Sequence, residues 1–542
     1  MKNNNFIAKI ALTALSIFLF ASCTGDLDRF PENDSTAQIV YSTFDGYKSA
    51  IAKVYAGYTL SGNTGPAGSP DIAGLDEGSN GDFLRCFFCH QELPTEEAHC
   101  SWNDAGIPEL NNINFAADDV NAKFTIGLYA KCIMQIMYAN EFLKNSTDGS
   151  VEGKGFTTEQ IAEIKAFRAE ARFLRAFDYW VLMDIFGNPP FITENDVFGN
   201  LPQQIQRTDL FDYIESELID ITDNKLLKSA KTNEYGRADE AAGWALLARI
   251  YLNAEIYKGE PKYTEAITYS KKVIDAGYSL KNNYEELFLA DNNLNNNEVI
   301  LSINYDGVST RSYGGTTFLI NGSSQGTYQS AYSNILIHYG IRGNNSNWAG
   351  IRTRLQLTEK FEQSDKRFLF VGENPAIADN PSEYIHGLAT YKYRNITSES
   401  TVGNPVYGSD IDYSDTDFPL FRLAEMYLIY AEAVLRGGTG GTTGEALGYI
   451  NLLRERAYGN ASGNVSSINL EFILDERARE LYWECFRRTD LIRYGLFTSI
   501  NYLWEWKGGV QTGRAIDDHF NLYPIPSSDI MANPNLNQND KY

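Results

Sequence analysis

Apolar residues recur every three or four positions through long stretches of the chain, and between those stretches the pattern dissolves. From Thr158 to Gly187 the chain carries apolar residues at Ile161, Ile164, Phe167, Ala171, Leu174, Val181 and Ile185. That spacing puts them on one face of a helix with 3.6 residues per turn. The run ends at Gly187-Asn188-Pro189-Pro190, where glycine accepts a left-handed cap and proline cannot continue the ladder. The same period predicts helices over 43–60, 117–144, 207–226, 237–258, 263–277, 418–436, 443–457 and 469–495. Several fall into pairs joined by short turns. In WALLARIYLNAEIYKGEPKYTEAITYSKKVI, bulky and small residues alternate in a rhythm that resembles tetratricopeptide helix pairs. One such pair cannot bury its faces alone, so pairs stack into a right-handed superhelix.

Residues 61–116, 278–356 and 371–417 are instead dense in Gly, Asn, Ser, Asp and Pro, with short β-prone stretches at Val299–Asn304 and Thr316–Ile320. Loops this long are uncommon in compact proteins and are usually functional. The expected fold is mainly α: a tetratricopeptide-like superhelical scaffold with an inserted irregular, loop-rich lobe and a few short strands. Helical pairs fall mainly in 43–60, 117–277 and 418–495, and the ligand lobe mainly in 61–116, 278–417 and 498–542. Because the lobe is inserted between helix pairs, residues 23–542 should form one interdigitated unit.

Residues 1–22 are set apart from that unit. Lys2 and Lys9 precede a short apolar run, Ile10 to Ala21, and small residues then lead to Cys23. The run is too short to span a bilayer and reads as an export signal. Its junction resembles a bacterial lipobox, which implies cleavage before Cys23 and lipid attachment to that thiol. Phe20 occupies the usual leucine position, and a plain secretory signal with an incidental cysteine is the other reading. Asp26 and Asp28 follow, as in surface-export signals of Bacteroidetes lipoproteins. The chain carries a net charge of −24, and loss of Lys2 and Lys9 with the leader makes it −26. Such a charge repels phosphate backbones and excludes nucleic acid as a partner class. The 34 Tyr and 7 Trp supply many flat faces with polar edges, suited to a neutral polar ligand or to a Tyr-rich core.

Four helical segments carry a family resemblance: AEARFLRAFDYWVLMDIFGNPPF (169–191), RADEAAGWALLARIYLNA (237–254), FPLFRLAEMYLIYAEAVLR (418–436) and RARELYWECFRRTDLIRYG (477–495). With LYPIPSSDI (522–530) they resemble SusD/RagB proteins, in the expected order and over most of the mature chain. The resemblance implies a lipid-anchored outer-membrane protein facing the cell exterior. It would sit on a SusC-like TonB-dependent β-barrel and hand it glycans or peptides. GSPDIAGLDEGSNGDFLR (68–85), ELPTEE (92–97), DGVSTRSYGGTTFLING (306–322) and YLWEWKGG (502–509) resemble the family's starch-binding founder more closely. Carried over residue by residue, Trp102 and Tyr313 match stacking rings, and Trp348 in NSNWAG stands for the third. Asp76 and Arg85 match polar contacts, and Asn103 or Asp104 an asparagine beside the first ring. Asp415 and Asp417 match a calcium pair, with Asn293 in place of the founder's third aspartate.

The residue types suit that role. A pyranose has a C–H face that an aromatic ring can cover and a hydroxyl rim that planar polar groups can pair with. Arg85 offers a fork of donors and Asp76 offers acceptors. Three rings in an arc fit a curved α-1,4-glucan better than a flat β-linked ribbon. The other role open to Trp102, Tyr313 and Trp348 is as loop anchors packed on the helices. Likewise Asp415 or Asp417 could cap the helix that follows, since calcium needs more oxygens than two carboxylates provide.

Cys86-Phe87-Phe88-Cys89-His90 has the spacing of a haem attachment site, and with His99 and Cys100 it offers zinc-type ligands. In an exported protein a disulfide among Cys86, Cys89 and Cys100 is the stronger expectation, and Cys132 and Cys485 are expected as buried thiols on helices. The EAR, DER and ARE runs read as solvated or interhelical ion pairs. GxSxG, HExxH and GxxxxGK[ST] are all absent from the sequence. The expectation is a binding protein with no catalytic residues. A glycoside hydrolase and a peptide or other-glycan binder on the same scaffold are the competing readings.

Overall fold

Helices form where the apolar stripe is continuous, and in several of them a polar side chain closes the first turn. In the computed structural model, described for residues 37–324 and 348–542 except 67, 119, 198, 373, 378, 379, 384, 385, 402 and 403, the principal elements run in this order. They are α1 (Phe44–Thr59), α2 (Phe83–Gln91), β1 (His99–Cys100), α3 (Lys123–Asn145), α4 (Thr158–Ile185), α5 (Arg207–Asp223), α6 (Glu240–Leu252), α7 (Tyr263–Asp275), β2 (Val299–Ile303), α8 (Gly315–Ser323), β3 (Ile351–Arg352), β4 (Phe418–Arg422), α9 (Leu423–Leu435), α10 (Thr443–Tyr458), α11 (Leu470–Leu481) and α12 (Arg487–Arg493). The leader and Cys23 lie outside the described residues. No helix among the described residues is long and apolar enough to cross a membrane.

Thr157 and Gln160 form a reciprocal capping box at the start of α4, and Thr442 with Glu445 does the same for α10, satisfying amides that have no partner within the helix. Successive helices then pack on one another: α3 on α4, α4 on α5, α5 on α6, α6 on α7, α7 on α9, and α9 on both α10 and α11. This is the mainly helical, stacked-pair scaffold that the periodicity predicts. The irregular lobe leaves it after α7 and returns through β4, which pairs antiparallel with β2 (Val299 opposite Arg422, Ile303 opposite Phe418) and leads into α9.

Four expectations about local structure are corrected. Residues 418–422 are a buried strand, not the first turns of a helix; Pro419 disfavours helical backbone at Phe418, and β2 supplies a partner. Thr316–Ile320 lie in α8, a fully buried helix rather than a strand. The stretch 469–495 is broken after α11, where Trp483 and Cys485 take left-handed backbone (φ 63° and 67°). No Gly or Pro marks this break. It is held from outside, because Glu97 accepts the Trp483 amide at 3.1 Å and Glu92 accepts the Phe486 amide at 3.1 Å, offsetting a cost of roughly 1–2 kcal/mol per left-handed residue. Cys485 is thus buried but not helical.

The fourth concerns charge and is partial. Of the two readings open to the EAR, DER and ARE runs, solvation fails for Glu170, Glu476, Arg477, Arg479 and Glu480, which are all buried. Interhelical ion pairing holds, as between Arg172 and Glu217 and between Arg456 and Glu480. Glu476, Glu480 and Glu484 from the α11 region meet Arg367 of the lobe, Arg422 of β4 and Arg456 of α10. Glu298, just before β2, joins Arg422 at 3.0 Å and Arg456 at 2.8 Å. Burial would raise the Glu480 carboxyl, but Arg456, Arg422 and Arg367 outweigh it and hold it well below the usual carboxylate range. This buried ionic cluster ties lobe to scaffold.

Candidate functional site

The α8 helix is the platform on which the predicted site residues meet. Tyr313 lies two residues before it. Phe318 in its middle lies 6.1 Å from the Trp102 ring and 4.5 Å below the Arg85 guanidinium. The Asn321 carbonyl near its end accepts the Trp348 amide at 3.1 Å. Trp102 and Trp348 flank a two-residue antiparallel pairing of β1 with β3, in which Cys100 faces Ile351. Ser101 extends it by donating to the Gly350 carbonyl at 2.9 Å. The indole N–H of Trp102 donates to the Ala349 carbonyl at 2.7 Å. Gly350 is required there: a Cβ would stand 2.1 Å from that indole nitrogen. Trp348 lies 6.2 Å from Tyr313. Three segments far apart in sequence thus bring three rings to one place. Tyr313 is 37% exposed and the two indoles are half-buried.

The polar residues divide. Arg85 is buried rather than presented at the surface, stacked on Phe318, 5.4 Å from the Trp102 ring, and donating to the Gly78 carbonyl at 2.7 Å. Asp76 and Asn103 are exposed. Asp76 begins the turn that leads to Gly78, and Asn103 follows Trp102. One ring that sequence reasoning did not single out belongs to the same group: Tyr413 lies 5.3 Å from Tyr313, with the Arg311 guanidinium 5.5 Å over its own ring. Its YSDTD context carries no periodic or motif signal for that contact.

The arrangement around Asp415 and Asp417 does not fit calcium. Asp417 accepts the Tyr305 amide at 2.7 Å and the Tyr235 hydroxyl at 2.6 Å, and burial pushes its carboxyl up to about 6. Asp415 accepts from the Gly307 amide and the Ser409 hydroxyl, both at 2.7 Å. Asn293 is exposed; its neighbour Asn292 is the residue bonded to Asp417, its side-chain NH2 donating to the Asp417 carbonyl at 2.8 Å and its side-chain oxygen accepting the Asp417 amide at 3.1 Å. Among the described residues no three His, Cys, Asp or Glu side chains are grouped to hold a metal. The aspartates act as clamps, tying the 415–417 turn to the 305–307 turn.

The expected disulfide is also absent. Cys86, Cys89 and Cys100 are buried free thiols. Cys86 and Cys89 stand one turn apart on α2, where Cβ atoms lie about 5–6 Å apart, beyond what a disulfide spans. Both ring nitrogens of His90 are engaged, Nδ1 with the Cys86 carbonyl at 2.7 Å and Nε2 with the Thr125 hydroxyl at 3.1 Å.

Against known proteins, residues 297–542 match a family model described as the SusD family, and residues 89–252 match one described as starch-binding associating with outer membrane. The chain is 37% identical over 576 residues to the starch-binding protein SusD of Bacteroides thetaiotaomicron, spanning 98% of each chain. It is 25% identical to a SusD-like protein of Bacteroides ovatus, over 98% of this chain and 97% of that one. Among solved structures, surface glycan-binding protein A of Bacteroides thetaiotaomicron, in complex with laminarihexaose, superposes with a TM-score of 0.68 at 20% identity, covering 91% of this chain and 99% of that one. A SusD superfamily protein of Parabacteroides distasonis gives 0.67 at 21% identity, over 91% and 99%. These structural likenesses establish the shared fold.

Proposed function

The chain belongs to the SusD family, and on that premise we propose that it binds a starch-like α-glucan at the outer surface of the outer membrane and does no chemistry on it. The observation that carries the reading is the convergence of Trp102, Tyr313 and Trp348 on α8 beside Arg85, in a chain 37% identical to a starch-binding protein along nearly its whole length. Ring faces cover the apolar side of successive glucose units. The exposed Asp76 and Asn103 offer hydroxyl partners at the rim. Arg85, buried beneath Trp102, presents its charge to that ring rather than to solvent. Lipid attachment at Cys23 would tether the protein, and a SusC-like TonB-dependent barrel would receive the sugar.

Incubating the pure protein with maltoheptaose and, separately, laminarihexaose tests this. Binding of maltoheptaose without shortening is the expected result. Shortening would replace capture with hydrolysis, and a preference for laminarihexaose would reassign the linkage.

A further inference from the structure

We propose that Asp82 is a positioning residue for this site, locking the Arg85 helix and the Tyr313 turn into one unit; its consequence for sugar rests on the reading above. Asp82 caps α2 by accepting the Arg85 amide at 2.7 Å, which is all a helix cap requires. The same oxygen, Oδ1, also accepts the Gly315 amide at 3.0 Å, across 233 residues of sequence. The residue is 1% exposed, so both bonds form in a water-poor setting where a carboxylate acceptor is strong.

Close packing completes the lock. A Cβ on Gly314 would stand 2.0 Å from the Asp82 carboxyl carbon, and one on Gly78 would stand 2.5 Å from the Tyr313 Cβ. Arg85 closes the circuit by donating to the Gly78 carbonyl at 2.7 Å. Asp82, Gly315, Tyr313, Gly78 and Arg85 therefore form a loop of contacts in which each segment fixes the next. Among the described residues the second Asp82 oxygen is buried with no hydrogen-bond partner. Capping alone gives no reason to leave it so; the carboxylate is placed for its two amides, not for its own solvation.

The test is amide hydrogen exchange on the ligand-free full chain, comparing wild type with Asp82→Ala, Asp82→Asn and Gly314→Ala. Exchange in peptides covering 312–318 should rise about tenfold or more in Asp82→Ala and Gly314→Ala, with α9 and α10 unchanged. Asp82→Asn, which keeps an Oδ1 acceptor, should restore most of the protection. If Asp82→Ala does not fold, Gly314→Ala carries the same test with Asp82 intact. Unchanged exchange at 312–318 in a folded variant overturns the proposal. Maltoheptaose binding supplies the second readout: Asp82→Ala should weaken it about tenfold alone and less than about threefold in a Tyr313→Ala background, because coupled residues are not additive. Full additivity also overturns it. A wild type that binds no glucan would sink the functional reading while the exchange result still decides the role of Asp82.

Discussion

The ring-bearing face and the ionic cluster behind it both join lobe to scaffold, yet they are held in opposite ways. In the cluster every charge has several partners. Glu480 alone meets Arg367, Arg422 and Arg456, and all four side chains are buried. On the ring face, Tyr313 is partly exposed and leans on Tyr413 and Trp348, and Trp102 is held by one main-chain bond and by packing on Phe318. Redundant, desolvated contacts make a region hard to alter. Singly anchored rings keep a free face. The difference predicts that stability and ligand capture are separable by mutation.

The strongest way to break that comparison is Glu480→Ala. It takes one shared carboxylate from three buried guanidiniums, each of which keeps another. The expected cost is about 3 kcal/mol of unfolding free energy, the lower end for a broken buried pair, read by urea denaturation. A loss near zero would mean the cluster is ornamental. Acid gives the next effect. Burial would raise the Glu476 carboxyl, but Arg367, Arg479 and Arg454 hold it down at about 2, below its value in the unfolded chain. Its stabilisation is complete above the ordinary carboxylate range and fades as pH falls through about 2; a shift of this size is worth about 3 kcal/mol. Stability curves between pH 5 and pH 2 should show that decline, and Glu476→Gln should flatten it.

The comparison is sharpened from the other side by Tyr313→Ala. Affinity for maltoheptaose should fall by about 2 kcal/mol, as for a central aromatic contact, while unfolding free energy changes by less than about 1 kcal/mol, as at a partly exposed position. Calorimetric titration and thermal melts check the two halves. Equal losses in both would make Tyr313 a loop anchor, the other role its sequence context left open.

The helical scaffold was legible because its signal is local. The apolar stripe of Thr158–Ile185, its Thr157 cap and its Gly-Pro stop all lie within one segment, and the pairing of α6 with α7 follows from faces that cannot be buried alone. The ring residues were legible as types and motifs: Trp102, Tyr313 and Trp348 do meet. Three features were not legible. The break at Trp483–Cys485 has no local breaker and depends on Glu92 and Glu97, almost 400 residues away in sequence. Tyr413 joins the rings only through folding. Arg85, expected at the ligand, is drawn under Trp102 by Phe318.

The sequence by itself determined the helix-pair frame, the acidic surface charge and the family, because periodicity, composition and motif order are properties of neighbouring residues. Only the tertiary structure decided that Thr316–Ile320 would be a helix and that Trp102, Tyr313 and Trp348 would gather around it. Its residues favour a strand locally, but burial on all sides, Asp82 at its first amide and Phe318 beneath Arg85 reward the helix. Contacts between distant segments, worth more than local propensity, made that choice.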